Sequence, residues 1–413
     1  MTQQKPNRYI NARCQNTIIF LLFLALLFTS CGIKRFTRKQ DVPTNTQLIT
    51  RFSFTMLTGG VVIVRATVGD RPDSLNFVLD TGSGGISLDS STASFLRLTG
   101  EASERTIRGI AGVRKVKFIR NLSLKLPGVD VTNLDFHIND YQILTGVYGM
   151  RIDGIIGYSF LNRYIVKINY DNNTIEVWEP GEIPYPKKGF LFRPPVSSIP
   201  VITAMVNDGD KINSSFYFDT GAGLCLLLSE RFARDSGIIK KGKKLTLTQA
   251  EGIGGKKTMQ VTTVKQVKFG PYTFKKVPTH IFDDEYNVTA YPQLGGLIGN
   301  DIFRRFNLTL NYGVREIHLE PNSHFNDAFD YSYTGMSFYY VNGDIIIEDV
   351  MAGSPADIAG LKAGDVILAV SNIFSNNIQA YKSMLQTPGA RLKIIVVRDS
   401  VPVEVILRVK SIL

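Results

Sequence analysis

The sequence predicts an all-β chain built from two duplicated lobes and one further β-rich module, and three observations carry that expectation. Short runs of β-branched and aromatic residues alternate with Gly, Asn and Asp turns over most of the chain, while helical periodicity is scarce. Residues 76–84, Asn-Phe-Val-Leu-Asp-Thr-Gly-Ser-Gly, return as residues 215–223, Ser-Phe-Tyr-Phe-Asp-Thr-Gly-Ala-Gly, so that Asp80 and Asp219 stand 139 residues apart. Each copy is followed at comparable distance by an apolar-Gly block, Asp153-Gly154-Ile155-Ile156-Gly157 in one half and Gly295-Gly296-Leu297-Ile298-Gly299 in the other. An offset this long exceeds any solenoid repeat and implies two domain-sized lobes.

The first thirty residues hold Lys5, Arg8 and Arg13, no acid, and an uninterrupted apolar run over 18–28 that is too short to span a bilayer. Residues 1–30 therefore read as an export signal. The ending Phe28-Thr29-Ser30-Cys31-Gly32 resembles a bacterial lipoprotein box, which implies lipidation of Cys31 and a membrane-anchored, periplasm-facing protein of the bacterial cell envelope. Residues 31–50 are polar and basic, without apolar period, as in a flexible tether. The formal net charge is +11; an anionic membrane surface and a simply solvated basic surface are the two readings of it. No nucleic-acid motif or aromatic-basic interleaving is present. Cys225 has no partner left for a disulfide and reads as a small core residue.

Residues 51–185 and 186–321 form the two lobes, with Pro180, Pro184, Pro186, Pro194 and Pro195 marking the crossing between them. One short helix is expected within 89–98 and another at 229–234. In each lobe an apolar strand stops at its Asp, and Thr-Gly then turns the chain, leaving Asp80 and Asp219 at strand ends that face a cleft. Each lobe also holds a glycine-rich hairpin candidate, with Gly109, Ile110 and Gly112 in the first and Gly252, Ile253 and Gly254 in the second. A pair of plain β-turns is the competing reading. The four histidines, His137, His280, His318 and His324, are dispersed without ligand spacing, so no metal or other cofactor is expected.

A polar stretch, 322–332, reads as a linker to a module over 333–413. That module holds Gly335-Met336-Ser337-Phe338, a strand over 344–350, Gly353-Ser354-Pro355-Ala356 and Ala359-Gly360-Leu361-Lys362-Ala363-Gly364-Asp365-Val366-Ile367. A helix over 378–385 and strands over 392–397 and 401–409 complete it.

These motifs together resemble the aspartic proteases, specifically the bacterial retropepsin-like group fused to a PDZ domain. The resemblance implies two retropepsin-like or pepsin-like β-barrel lobes around one cleft, and hydrolysis of a polypeptide substrate by a water held between Asp80 and Asp219. Two carboxyls within hydrogen-bonding reach cannot both ionise cheaply, so one keeps a proton. In family members with a serine at the position of Ser83, its hydroxyl donates to the neighbouring carboxylate; the implied assignment makes Asp80 the ionised partner and Asp219 the proton carrier. Thr81 and Thr220 are expected to bond across to the opposite loop, and Gly82 and Gly221 to let backbone amides approach. The two hairpins resemble retropepsin flaps. In the PDZ module, Gly335, Met336, Ser337 and Phe338 would receive a C-terminal peptide ligand. A non-catalytic peptide-binding lipoprotein on the same scaffold is the alternative, and a precursor that needs processing is a third reading.

Overall fold

The computed structural model describes residues 46–252 and 254–413. The residues read as a signal peptide, Cys31, most of the stretch read as a tether, and Ile253 of the second hairpin candidate lie outside the described residues. Seven strands of the first lobe are β1 (Val62–Val68), β2 (Leu75–Leu79), β3 (Ile86–Asp89), β4 (Glu101–Gly109), β5 (Gly112–Leu126), β6 (Val129–Asn139) and β7 (Gly154–Ile156). Their counterparts in the second lobe are β8 (Val201–Asn207), β9 (Lys211–Phe218), β10 (Leu226–Ser229), β11 (Thr246–Gly252), β12 (Gly255–Phe269), β13 (Tyr272–Phe282) and β14 (Gly296–Ile298).

In the first lobe the order β1-β2-β7-β3-β6-β5 closes on itself through Thr67 opposite Lys125 and Val68 opposite Leu124, with β4 carried outward as the partner of β5. The second lobe repeats this as β8-β9-β14-β10-β13-β12, closed where Met205 faces Lys268, with β11 carried outward. Both lobes are closed six-stranded barrels, as the duplicated text implies. Closure removes sheet edges and buries one face of every strand, which is why Phe77, Leu79, Phe216 and Phe218 are almost fully enclosed.

A further six-stranded sheet joins the lobes. Its centre pairs Ile165–Asn169 with Phe306–Asn311 antiparallel, Ile165 opposite Asn311 and Ile168 opposite Leu308. These are the two copies of the same strand, so the duplicated halves meet about their own equivalent elements. One continuous apolar cluster runs through both lobes, from Phe77 and Phe136 to Phe216 and Phe303.

Two boundaries differ from the sequence expectation. The strand Leu48–Ser53 begins inside the stretch read as tether, because its pairing with Thr174–Trp178 draws Leu48 into the joining sheet. The stretch 322–332, read as a linker, is packed against the second lobe: Phe325, Phe329 and Tyr331 join its aromatic cluster. Arg305, only 1% exposed, holds this segment by donating to the carbonyls of His324, Asp327 and Ala328 and lying over the Phe329 ring. The short helix expected within 89–98 is Ser90–Phe95, capped by the Asp89 carboxylate on Ser91 and Thr92 amides. The second is Glu230–Asp235.

The C-terminal module has its own core, Phe338, Ile347, Leu361, Ile367, Tyr381, Ile394 and Leu407 among others. Its sheet runs Met336–Val341, Asp344–Val350, Val366–Val370, Arg391–Arg398 and Val401–Arg408, leaving Met336–Val341 at one edge. Among the described residues no helix is long and apolar enough to cross a membrane.

Replacing Arg305 with Met keeps the bulk but takes the donor from three part-buried carbonyl bonds, and charged hydrogen bonds of this kind are worth roughly 1.5–3 kcal/mol each before compensation. Arg305→Met is expected to lower unfolding free energy by about 3 kcal/mol, read from the denaturant midpoint. A midpoint equal to wild type would show that the segment is held by its aromatics alone.

Candidate active site

Each candidate aspartate stands at the C-terminal end of a strand threaded beside the apolar-Gly block of its own lobe. Strand β2 runs parallel to β7, Leu79 beside Ile156, and β9 runs parallel to β14, Phe218 beside Ile298. The chain after each Asp then loops back into β3 or β10, which pair with the other side of the same short strand. Backbone bonds fix both loops: Asp80 N donates to Ile156 O at 2.9 Å and Asp219 N to Ile298 O at 3.1 Å. Gly157 and Gly299 are required by close approach, since a Cβ at either would collide with the carbonyl of Ser83 or Leu224. This is the physical meaning of the repeated apolar-apolar-Gly text.

The two loops meet face to face. Thr81 N donates to Thr220 Oγ1 at 3.1 Å and Thr220 N to Thr81 Oγ1 at 2.9 Å. Thr81 Oγ1 donates in turn to Phe218 O at 2.8 Å, and Thr220 Oγ1 to Leu79 O at 3.4 Å. Both threonines are essentially enclosed, so these crossed bonds form where water competes little. A Cβ added to Gly82 would lie 2.5 Å from Asp219 Cγ, and one added to Gly221 would run into the Asp80 carboxyl. The Asp80 and Asp219 carboxyls lie within hydrogen-bonding contact of one another.

Their surroundings are not equal. Asp80 Oδ1 accepts from Gly82 N at 2.6 Å. Asp219 Oδ1 accepts from both Gly221 N at 2.8 Å and Ala222 N at 2.9 Å. Burial raises both carboxyls above the ordinary range; Asp80 rises further because the charge of Asp219 adds to it, while the amides of Ala222 and Gly221 hold Asp219 back. The second amide on Asp219 favours its charged form and so the proton on Asp80, the direction opposite to the one drawn from Ser83. Among the described residues Ser83 makes no side-chain bond to Asp80; its backbone is tied down instead, Ser83 N to Asp80 O and Tyr158 N to Ser83 O.

The hairpin candidates are the β4-β5 and β11-β12 hairpins, with Gly109 opposite Gly112 and Gly252 opposite Gly255. Their tips interlock. The Ile110 side chain lies where a Cβ on Gly252 would be only 3.0 Å from its Cδ1, and the Arg114 guanidinium donates to Gly254 O at 3.2 Å. Ile110 also packs with Leu227, Met259, Phe282 and Leu297, an apolar wall of the second lobe. The matching wall in the first lobe is Ile63, Val78, Tyr141, Ile152 and Ile155, with Leu144 and Tyr148 against it.

The helix α1 (Gln142–Tyr148) that carries these last two residues escaped sequence reading, because its run Gln-Ile-Leu-Thr-Gly-Val-Tyr has a mid-helix Gly and no capping side chain. Tyr148 is close enough to the dyad that burial first, and then the charges of Glu251, Asp80 and Asp219, hold its phenol well above the usual range. Gly335, with φ +74, opens the edge strand of the C-terminal module; Met336, Ser337 and Phe338 follow on it, far in sequence from the dyad but against the β11-β12 hairpin. Among the described residues no cluster of three His, Cys, Asp or Glu could hold a metal ion. Cys225 is buried, its thiol donating to Asp301 at 3.0 Å.

Two barrels that each present an Asp-Thr-Gly loop to a shared cleft define the retropepsin-like aspartic protease class. The aspartyl protease family model matches residues 64–160 and 202–302, one segment in each lobe, and a PDZ domain model matches residues 346–399. Together the two matches support a retropepsin-like aspartic protease with a C-terminal PDZ domain. No curated protein matches it.

The elevated Asp80 carboxyl has a consequence for stability. An unfolded Asp releases its proton near pH 4, whereas folded Asp80 keeps it to higher pH. The folded state is thus favoured below the unfolded value and loses that advantage as pH rises toward the folded one. Asp80→Asn, which needs no proton, is expected to raise the thermal midpoint at pH 7 relative to wild type. The gap should shrink toward pH 3; a gap independent of pH would contradict the raised carboxyl.

Proposed function

We propose that this chain is an endopeptidase that hydrolyses peptide bonds through a water activated by Asp80 and Asp219. The observation that carries this reading is the approach of a buried Asp80 and a half-buried Asp219 carboxyl, one from each lobe, with unequal hydrogen bonding. Asp219, stabilised as carboxylate by two amides, takes a proton from the water. Asp80 gives its proton to the carbonyl oxygen of the scissile bond as the water oxygen bonds to carbon. In the collapse, the leaving nitrogen takes the proton from Asp219 and the diol hydroxyl returns one to Asp80, restoring both groups. The crossed threonines keep the carboxyls facing, and the interlocked flaps exclude bulk water once a chain is bound.

The PDZ domain selects or positions polypeptide ends for this cleft. The lipidated Cys31 and the basic tether would hold the enzyme on an envelope membrane, facing the periplasm. Membrane fractionation of the full-length protein against a Cys31→Ala variant tests that anchor: the variant is expected in the soluble fraction, and its retention in the membrane would overturn lipidation at Cys31.

With an internally quenched peptide library, Asp80→Asn and Asp219→Asn are each expected to lower kcat by about 10³-fold or more with peptide binding retained. Equal turnover in wild type and variants would reject the dyad, and peptide binding without turnover in wild type would favour a non-catalytic binder. Ser83→Ala should leave the acidic limb of the pH-rate profile unmoved, because its hydroxyl does not touch Asp80.

A further inference from the structure

A PDZ domain receives an extended chain end between the edge of its sheet and a helix. Here those walls are the strand Met336–Val341 and the helix α2 (Ile378–Met384). Both are already in contact with the protease lobes. The last turn of α1 abuts them: a Cβ on Gly146 would lie 3.4 Å from Tyr339 Cβ, and one on Gly149 would run into Ile378. Tyr148 O accepts from Gln379 Nε2 at 3.0 Å and Val147 O from Lys382 Nζ at 2.6 Å.

The second flap lies along the same edge. Tyr333 Oη donates to Leu247 O at 3.0 Å, Ser337 Oγ to Gln249 Oε1 at 2.8 Å and Tyr339 Oη to Glu251 Oε1 at 2.5 Å. Lys256, across the same hairpin, pairs with Glu348 at 2.7 Å. Alternate residues of the flap strand thus meet the PDZ edge in sequence, with side chains as spacers and no backbone ladder between the strands. A cavity of about 270 Å³ remains there, with Gly335, Met336, Phe338 and Leu385 on the PDZ side and Thr248 and Gln249 on the flap side. An extended chain laid along Met336–Val341 needs the room that Gln249, Glu251 and the end of α1 now occupy.

We infer that the second flap and the end of α1 are built-in occupants of the outer PDZ groove, which a polypeptide carrying a free C-terminal carboxylate displaces, unlatching the flap of the same molecule. The inference rests on the PDZ and flap readings and not on turnover. Because coupling is reciprocal, whatever loosens the flap tightens the groove for the chain end by the same factor. The latch is a handful of partly exposed side-chain bonds, each with a modest net contribution, so a ligand of ordinary affinity is sufficient to open it.

The test uses full-chain protein carrying Asp219→Asn, so that nothing is cleaved. Two pools of N-acetylated decapeptides with four randomised C-terminal positions are passed over it, one with free carboxylates and one amidated. The free-carboxylate pool should be retained selectively, and the retained peptides should speed amide hydrogen exchange in 246–252, 255–262 and α1. Adding Gln249→Ala with Glu251→Ala should speed flap exchange without peptide and tighten binding of the same peptides roughly five-fold. Glu348→Ala, which cuts the latch from the PDZ side, should also speed flap exchange. Equal retention of the two pools, bound peptide that leaves flap exchange unmoved, or a double variant that binds no more tightly would each overturn the inference. Wild-type protein inactive toward every peptide would sink the protease reading and leave these exchange results standing.

Discussion

Two buried carboxyls repel each other as soon as both ionise, and only an external frame keeps them in contact. The frame in this protein is the reciprocal pair of threonine bonds, Thr81 to Thr220 and back, each hydroxyl anchored onward to the carbonyl that precedes the opposite aspartate. Every larger feature of the lobes serves that frame. The closed barrels fix the strands from which the loops depart. The joining sheet, with Ile165–Asn169 beside Phe306–Asn311, sets the two barrels so that equivalent loops face each other. The glycines beside each Asp leave no Cβ in the space where the opposite carboxyl sits. A protein frame that forces one proton onto a pair creates, in the same act, an acid and a base a hydrogen bond apart.

The symmetry of the frame is not carried into its chemistry. A single amide separates the two sites: Ala222 N bonds Asp219, while the corresponding Ser83 N bonds the backbone oxygen of Asp80. That difference favours the charged form at Asp219, and it lies in the backbone of the turns. The sequence contrast between Ser83 and Ala222 pointed at the right place for the wrong reason, because a side-chain donor was expected where a main-chain donor acts.

Much of the fold was legible because duplication makes weak signals check one another. One Asp-Thr-Gly is three common residues, but two copies, each followed by an apolar-Gly block and similar strand text, leave few architectures open. The two hairpins were legible from paired glycines for the same reason, and the PDZ domain from its Gly-Leu-Lys-Ala-Gly-Asp run. What stayed hidden is what has no copy and no local period. No sequence pattern marks Arg305 as enclosed; it is buried because chain from beyond the last strand of the lobe folds back to supply its acceptors. The helix Gln142–Tyr148 has weak propensity and forms where packing on both the cleft wall and the PDZ edge stabilises it. The docking of the PDZ domain on the β11-β12 hairpin depends on pairs such as Ser337 with Gln249, 88 residues apart, which no sequence window contains.

The sharing of one proton is the claim from which the rest follows, and it can be watched directly. Protein labelled with ¹³C at aspartate Cγ, with Asp80 and Asp219 assigned from their Asn variants, would be titrated by NMR from pH 2 to 9. The account expects the pair to lose its last proton well above the ordinary aspartate range, with the larger late change at Asp80. Two independent titrations near pH 4, as for solvated aspartates, would contradict it.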